Sequence, residues 1–436
     1  MNYFTDAVLR APTLGSMFIG AMAALIGVTV VLRKESLVGE ALSHAAYPGV
    51  MAGVIFWGLA SLFNEGAIQI MILFGAFLTS FLAYLLIGRL ERVFNIPSDS
   101  ALCLILSSFF GIGVFLASII QFQFSSLYNQ AQTYIFGQSA TLTDFQMSLF
   151  LILLLITGGL IAFFYRKIKI YLFDANYAET LGIKTHAIEL LLFFLTTLAL
   201  VAGIRAVGVV LMSALMIAPA LSARELTNHL GRMYLIAAFL GALYAFGGVV
   251  LSNELSIYLS SEERFSMPTG PTIVIVSALI TGLILLFNPK RGLIFRAIRT
   301  LRFKNQTLYE NILKTCLRLD RPIDNDDLHD YLHTHSLRLN WSLKRLVNEG
   351  WLNKNKDGRY NLTDEGRIKA KRIQRLHRLW EVYLVDYVGI NKERVHKSAE
   401  EMEHLINPEL EKELTKLLKD PKVDPHEKPI PRQDEV

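Results

Sequence analysis

The sequence is poor in cysteine and in charge, and both shortages restrict what the chain can be. Its 436 residues include two cysteines, so neither a disulfide framework nor a CxxC metal site is available. Charged residues make up 19% of the chain and hydrophobic residues 52%, whereas soluble domains average about 25% charge. Neither GxxxxGKS nor GxxxxGKT occurs, so we do not expect this chain to hydrolyse ATP or to be an enzyme.

The few charges are unevenly distributed, and this divides the chain in two. Residues 1–288 hold 13 Lys and Arg against 14 Asp and Glu, while residues 289–436 hold 30 against 24. The second part also carries seven of the ten histidines. This pattern predicts a transmembrane domain over 1–288 followed by a soluble, basic domain.

Apolar runs long enough to cross a bilayer as helices recur through the first part. We predict eight or nine spans, because the run at 207–222 is short and contains Gly208 and Pro219. Lys and Arg cluster in alternate connections between the spans, as at Arg33 and Arg89. The side of the membrane that carries these clusters is predicted to be cytoplasmic. With nine spans, the soluble part lies on that same side. The runs lie near 14–32, 42–62, 68–88, 100–121, 146–165, 187–204, 207–222, 233–251 and 272–287.

The stretch VGEALSHAAYPGV, residues 38–50, places Glu40 and His44 four residues apart in an otherwise apolar run. That spacing puts both side chains on one helix face, where they offer an oxygen and a nitrogen ligand to a divalent cation. Ionisable groups inside a membrane are costly unless they face a protein interior or a water-filled path. The alternative interpretation is a helix start at the interface, with Glu40 near the headgroups. One pair is a minimal site that other helices or a second chain would have to complete.

The segment FDANYAETLG, residues 173–182, is polar and lies between cytoplasmic lysines. It is either an amphipathic helix that docks a soluble partner or a solvated loop.

Four stretches of the first part resemble permease subunits of ABC importers for manganese, zinc and iron. They are LRKESLVGEALSHAAYPGV, YLFDANYAETLGI, RAVGVVLMSALMIAPALSAREL and MPTGPTIVIV, in the family's order. The resemblance implies a bacterial cell (inner) membrane location and two permease copies, as a homodimer or with a paralogue. It also implies separate ABC ATPase subunits and an extracytoplasmic metal-binding protein.

The same resemblance assigns roles to five residues. Glu40 and His44 fall on the family's metal path, with Glu40 where aspartate is usual. Ala178, Glu179 and Gly182 fall on positions of the loop that contacts the ATPase.

The second part begins with a basic linker, 289–305, and continues with a pattern typical of a winged helix-turn-helix over 306–370. Two helices precede a basic third helix, and a KDGR turn between short strands forms the wing. This pattern predicts a DNA-binding face on the third helix. Its candidate residues are Arg338, Asn340, Ser342, Lys344 and Arg345. The alternative is a protein-interaction module, and the net charge favours DNA.

Two further helices, within 371–425, carry histidines and glutamates at metal-ligand spacings. Glu400, Glu403 and His404 share one helical turn, and three such ligands suit a divalent cation. His377, Glu381 and His396 form a neighbouring candidate site. The alternative is a solvated acidic helix. Residues 426–436 are expected to be a disordered tail.

The order winged helix, RLHRLWE, VGINKERVH, AEEMEH and NPELEKEL resembles the iron- and manganese-dependent repressors of the diphtheria toxin repressor family, over about 306–425. The resemblance implies a metal-binding and dimerisation domain with His377, Glu381 and His396 in one metal site. It places Glu400, Glu403 and His404 in the other. The family's first-helix ligands would fall at Leu308 and Asn311, which are poor ligands, and Glu310 is expected on another face.

The sequence as a whole therefore predicts a mostly α protein, in which a polytopic metal permease is fused to a metal-dependent transcriptional repressor that binds operator DNA. Carboxylates and imidazoles without thiolate favour Mn²⁺ or Fe²⁺, with Zn²⁺ as the alternative. Two rival interpretations stay open. In one, the C-terminal domain senses metal and gates transport without binding DNA. In the other, the membrane part is a receptor that transports nothing.

Overall fold

A computed structural model describes residues 2–60, 65–123, 137, 139–259 and 267–432. The chain forms two compact units, Met1–Phe295 and Arg296–Val436. Both units are mostly helical, as predicted.

Over its described residues, the first unit consists of eleven helices, nine of them long, and a 3₁₀ turn at Ser139–Thr141. Within the described ranges they are α1 Arg10–Arg33, α2 Ser36–Ala60, α3 Glu65–Arg92, α4 Ser98–Gln123, α5 Asp144–Phe163, α6 Tyr165–Phe173, α7 Ala175–Thr180, α8 Thr185–Val207, α9 Val209–Leu226, α10 Leu230–Leu259 and α11 Thr269–Phe287.

Each of the nine predicted spans coincides with one long helix of this unit. Judged on the residues that the structure describes, seven of these helices are long and apolar enough to cross a membrane, and the remaining two are α2 and α9. Helix α9 is the short predicted span. It has Pro219 in its interior and follows Gly208, whose φ of 99° ends α8. The number of segments that cross the bilayer therefore stays a prediction.

Helix α1 is largely buried and packs against α10 through glycines. A Cβ at Gly20 would lie 2.4 Å from the carbonyl oxygen of Gly241, and a Cβ at Gly241 would lie 2.2 Å from that of Gly20. The two main chains are in direct contact, which only glycine permits and which small-residue packing between membrane helices achieves elsewhere.

The second unit begins within a helix whose first three residues belong to the first unit, and two more helices and a hairpin follow. These are α12 Leu293–Leu319, α13 Asn325–Leu332, α14 Ser336–Asn348, β1 Leu352–Lys354 and β2 Tyr360–Leu362. The strands pair antiparallel, with Leu352 opposite Leu362, and Ile323 forms a bridge to Tyr360. Leucines of the three helices and Tyr360 share one core. The order is the one predicted for a winged helix, which remains the interpretation of this region.

The unit continues with α15 Asp364–Asp386, α16 Lys392–Met402, a 3₁₀ turn at Glu403–Leu405 and α17 Pro408–Leu417. Thr363 caps α15 by accepting a hydrogen bond from the amide of Gly366, and Asn391 and Asn407 cap the next two helices in the same way.

Two predicted boundaries differ from the structure. The expected linker, 289–305, is helical from Leu293 onward, because α12 begins there and runs without a break to Leu319. The expected disordered tail is ordered over 426–432. Ile430 is 6% exposed, and the carbonyl of Pro431 accepts a 2.7 Å hydrogen bond from the buried Arg375. Residues 433–436 lie outside the described residues.

Candidate metal centre

Helices α15 and α16 bring His377, Glu381 and His396 together. His377 and Glu381 are one turn apart on α15, so they share a face, and His396 on α16 approaches that face. One Glu381 oxygen, Oε1, lies 3.2 Å from Nε2 of His377 and 3.0 Å from Nδ1 of His396. The two histidine nitrogens are 3.0 Å apart. Two imidazoles and a carboxylate thus converge on a single point.

The two residues on α15 are buried, while the His396 side chain is 65% exposed. Burial alone would raise the pKa of Glu381, but hydrogen bonds from His377 and His396 lower it to about 2. Burial alone would lower the pKa of His377, yet hydrogen bonds to Glu381 and Glu403 raise it above its usual value. Glu381 is therefore ionised at neutral pH. The set fits a divalent first-row cation, which oxygen and imidazole ligands suit.

In the part of the chain that the structure describes, the other predicted metal residues do not converge on one point. The side chain of Glu403 is fully buried. Both of its carboxylate oxygens accept hydrogen bonds from Nζ of Lys314, at 2.8 and 2.9 Å. Nδ1 of His404 is 2.5 Å from Oε2 of Glu310. Glu400 is exposed and lines the same cavity, of about 450 Å³, as His377 and Glu381. Glu400 thus lies beside His377 and Glu381 and is separate from the contacts of Glu403 and His404.

Two residues of α12 that sequence reasoning missed contact these side chains. Glu310, expected on another face, reaches His404, and Lys314 reaches both Glu403 and Nδ1 of His377, at 3.4 Å from the latter. The expected first-helix position Leu308 instead lies in the core, 7% exposed. The i,i+4 spacing of Glu310 and Lys314 was the available signal, since it puts both on one face of α12.

Helix α14, proposed to face DNA, presents a different set of side chains from the predicted one. Ser342 is fully buried and its hydroxyl donates to the carbonyl of Arg338, so including it in the exposed face was wrong. Arg338 donates to the side chain of Asn305. Arg345 pairs with Glu349 at 2.9 Å.

Asn340 and Lys344 are exposed on α14, and Trp341, which the prediction omitted, is 51% exposed between them. The spacing of the buried Leu339, Leu343 and Leu346 defines the opposite face, so the hydrophobic periodicity could have identified Trp341.

In the membrane unit, α2 carries Glu40 and His44 on one face. His44 is 9% exposed, and its ring meets Phe110 of α4 edge-on, with centroids 4.9 Å apart. Its Nδ1 is buried, and none of the residues that the structure describes offers it a hydrogen-bond partner. Leaving a buried polar atom unpaired costs about 1–3 kcal/mol, so such an atom calls for an explanation.

The polar segment 173–182 folds into the end of α6 and the short α7. Asp174 caps α7 through the amide of Tyr177, and Ala178 is buried. Glu179 accepts a 2.7 Å hydrogen bond from Thr185, and Gly182 closes the turn with a φ of 74°. Three large side chains of this segment stay exposed, with Phe173 at 87%, Tyr177 at 53% and Leu181 at 52%.

Comparison with known families matches the first unit and the C-terminal part of the second. Residues 5–288 match the ABC 3 transport family, and residues 363–432 match the metal binding and dimerisation domain of iron dependent repressors. The first match covers well over half of the chain, and the chain therefore belongs to the ABC 3 transport family. It is a membrane permease rather than an enzyme, and it carries a repressor-type domain after its last membrane helix.

Similar proteins span both domains or the membrane part alone. The probable metal transport system membrane protein of Chlamydia trachomatis serovar D is 32% identical over 99% of this chain and 97% of its own length. The manganese transport system membrane protein MntC of Bacillus subtilis is 30% identical over 85% of this chain and 82% of its length. The solved structure of PsaBC from Streptococcus pneumoniae, in complex with Fab, has a TM-score of 0.56 and 25% identity, covering 66% of this chain and 94% of that one.

Proposed function

We propose that this protein is the membrane subunit of an ATP-driven divalent metal importer whose C-terminal domain is a metal-dependent, DNA-binding repressor. The main support is that one chain joins an ABC 3 permease to a repressor-type domain in which His377, Glu381 and His396 converge. Such a fusion lets the imported ion report on its own uptake. The soluble domain lies in the cytoplasm, where the lysine and arginine distribution directs it.

The metal path runs past Glu40 and His44. The unpaired Nδ1 of His44 supports this, because a passing cation would supply the missing partner of a buried nitrogen. One chain brings a single carboxylate and a single imidazole, so a second permease copy, identical or paralogous, completes the coordination. The ion arrives from an extracytoplasmic binding protein, and Ala178, Glu179 and Gly182 belong to the surface that meets the ATPase.

The regulatory ion binds His377, Glu381 and His396, with Glu400 as a further ligand from the shared cavity. Mn²⁺ is the first choice, because the ligands are oxygen and imidazole without thiolate and because the Bacillus relative is named as a manganese transporter. Fe²⁺ and Zn²⁺ are the alternatives. Glu403 and His404, predicted in the second site, link the metal helices to α12. The loaded domain binds operator DNA with Asn340 and Lys344 on the exposed face of α14.

Uptake of ⁵⁴Mn²⁺ into proteoliposomes that contain the full chain, its ATPase and its binding protein tests the transport half. We expect His44→Ala to abolish ATP-dependent uptake. His229→Ala is the matched control, because His229 is exposed outside the helices of the path and should leave uptake intact. Equal uptake by both variants would exclude His44 from the path.

Retention of fragmented genomic DNA by the full chain in nanodiscs tests the regulatory half. We expect Mn²⁺ to increase retention of specific fragments in the wild type and to have no effect on His377→Ala. If Mn²⁺ binds but retains no DNA, while it changes the rate of uptake, the domain is a transport gate instead.

A further inference from the structure

The ion pair between Lys314 and Glu403 occupies the place where a second metal ion would need a ligand. Both oxygens of Glu403 accept from the same ammonium, at 2.8 and 2.9 Å, and the Glu403 side chain is fully buried. A buried carboxylate needs a counter-charge, because burying an unpaired ion is strongly unfavourable. Lys314 supplies that charge from α12.

The residues around this pair would otherwise suit a cation. Nε2 of His404 is buried, lacks a hydrogen-bond partner among the described residues, and lies 3.6 Å from Oε1 of Glu403. Its other nitrogen donates to Glu310, the arrangement that commonly orients a metal-binding histidine. An imidazole and a carboxylate, which suit a first-row divalent cation, are therefore in place. The charge of the carboxylate, however, is already neutralised by Lys314. Within the described ranges, the one group of three mutually close ligands is His377, Glu381 and His396.

We propose that Lys314 is a tethered cation that replaces the second metal ion, so that the soluble unit holds one exchangeable ion and one permanent positive charge. A divalent ion at Glu403 would have to displace the ammonium or sit beside it against its repulsion. The contact between Lys314 of α12 and Glu403, in the turn after α16, then forms whether or not metal is bound. Metal sensing rests on the His377 cluster alone, without cooperativity between two ions.

This inference rests on the proposed metal centre. Its test measures the number of bound ions and not an activity. The full chain, purified in detergent, is dialysed against saturating Mn²⁺, and bound manganese per chain is measured by mass spectrometry. Glu403 also contacts Nδ1 of His377, and the amide oxygen of a glutamine can still accept that hydrogen bond, so we expect Glu403→Gln to bind as many ions as the wild type. We expect Lys314→Met to bind one more, and the double variant Lys314→Met/Glu403→Gln to lose that extra ion. Lys416→Met, an exposed lysine on α17, is the control and should match the wild type.

Loss of one ion in Glu403→Gln, relative to the wild type, would show that metal displaces Lys314 and would overturn the proposal. So would a folded Lys314→Met that gains none. If Lys314→Met does not fold without metal, added Mn²⁺ should restore its cooperative thermal unfolding. Failure of Mn²⁺ to do so, where the double variant folds, also counts against the proposal.

His377→Ala separates this inference from the proposed function. It should remove one ion from the wild type and from Lys314→Met alike. If it removes none, the proposed metal centre fails, whatever the Glu403 variants show.

Discussion

The carboxylate of Glu310 on α12 lies 2.5 Å from Nδ1 of His404, which sits in the turn after α16. The two residues are 94 positions apart in sequence. The His404 side chain is 3% exposed and the Glu310 side chain 21%, so water screens the contact only in part. This contact ties the first helix of the proposed DNA-binding region to the helices that carry the metal ligands.

Replacement of Glu310 by alanine should loosen this tie. We expect the loss of the hydrogen bond to cost about 1 kcal/mol. Amide exchange at the middle of α12 should rise correspondingly, and hydrogen-exchange mass spectrometry of the full chain measures it. Glu349→Ala is the control, because Glu349 directly follows α14 and pairs with the exposed Arg345 one turn earlier; such a pair contributes about 0.2–0.5 kcal/mol. Equal exchange of α12 in both variants would contradict the structural role of Glu310.

Gly182 should be needed for the shape of the predicted ATPase-contact segment. A Cβ added there would meet nothing within 4 Å, so any effect of Gly182→Ala must come from its φ of 74°. A left-handed conformation costs a non-glycine residue about 1–2 kcal/mol. We therefore expect Gly182→Ala to weaken co-purification of the ATPase roughly tenfold, which corresponds to about 1.4 kcal/mol.

Gly159→Ala on α5 provides the comparison, since it has equal space and no positive φ. Its ATPase binding should equal that of the wild type. Wild-type behaviour of Gly182→Ala would mean that this turn does not shape the contact.

Lys344 and Ser342 should respond differently in DNA binding. Lys344 is exposed on α14, so Lys344→Ala should weaken binding to every sequence and reduce the slope of log affinity against log salt by about 1. Ser342→Ala should leave both unchanged, because its hydroxyl is buried and bonded to the main chain. Fluorescence anisotropy at several salt concentrations measures both. A larger effect of Ser342→Ala would place the DNA on another face.

Cys316 should be inert to alkylating reagents while the protein is folded. The thiol is 4% exposed, and burial raises its pKa to about 12. Because the pKa is raised, the reactive thiolate is scarce at every pH well below 12 and becomes abundant only on unfolding, when the pKa returns to about 8.5. Iodoacetamide labelling at pH 8, with and without denaturant, followed by peptide mass spectrometry, checks this. Rapid labelling of the native protein would show that the core around α12 opens.

The membrane helices could be predicted from sequence because bilayer thickness fixes the length of apolar run that a span needs. The runs at 14–32 and 100–121 correspond directly to α1 and α4. The grouping of His377 with Glu381 followed in the same way from their spacing on one helix. In these cases a local pattern determines which side chains meet.

The contacts of α12 could not be predicted, because they join residues far apart in sequence. Lys314 meets Glu403 across 89 positions, and periodicity places a side chain on a face without naming what that face touches. Ser342 shows the converse problem. A polar residue looks like a surface residue, but here its hydroxyl bonds to the carbonyl four residues earlier and is buried with the leucines.

The glycine contact between α1 and α10 also limits how the permease can move. With Gly20 and Gly241 touching main chain to main chain, these helices cannot slide along each other without a steric clash. They should behave as one rigid body through the cycle of opening to either side of the membrane. The rearrangement that exposes the ion alternately must then occur at looser helix contacts elsewhere in the unit.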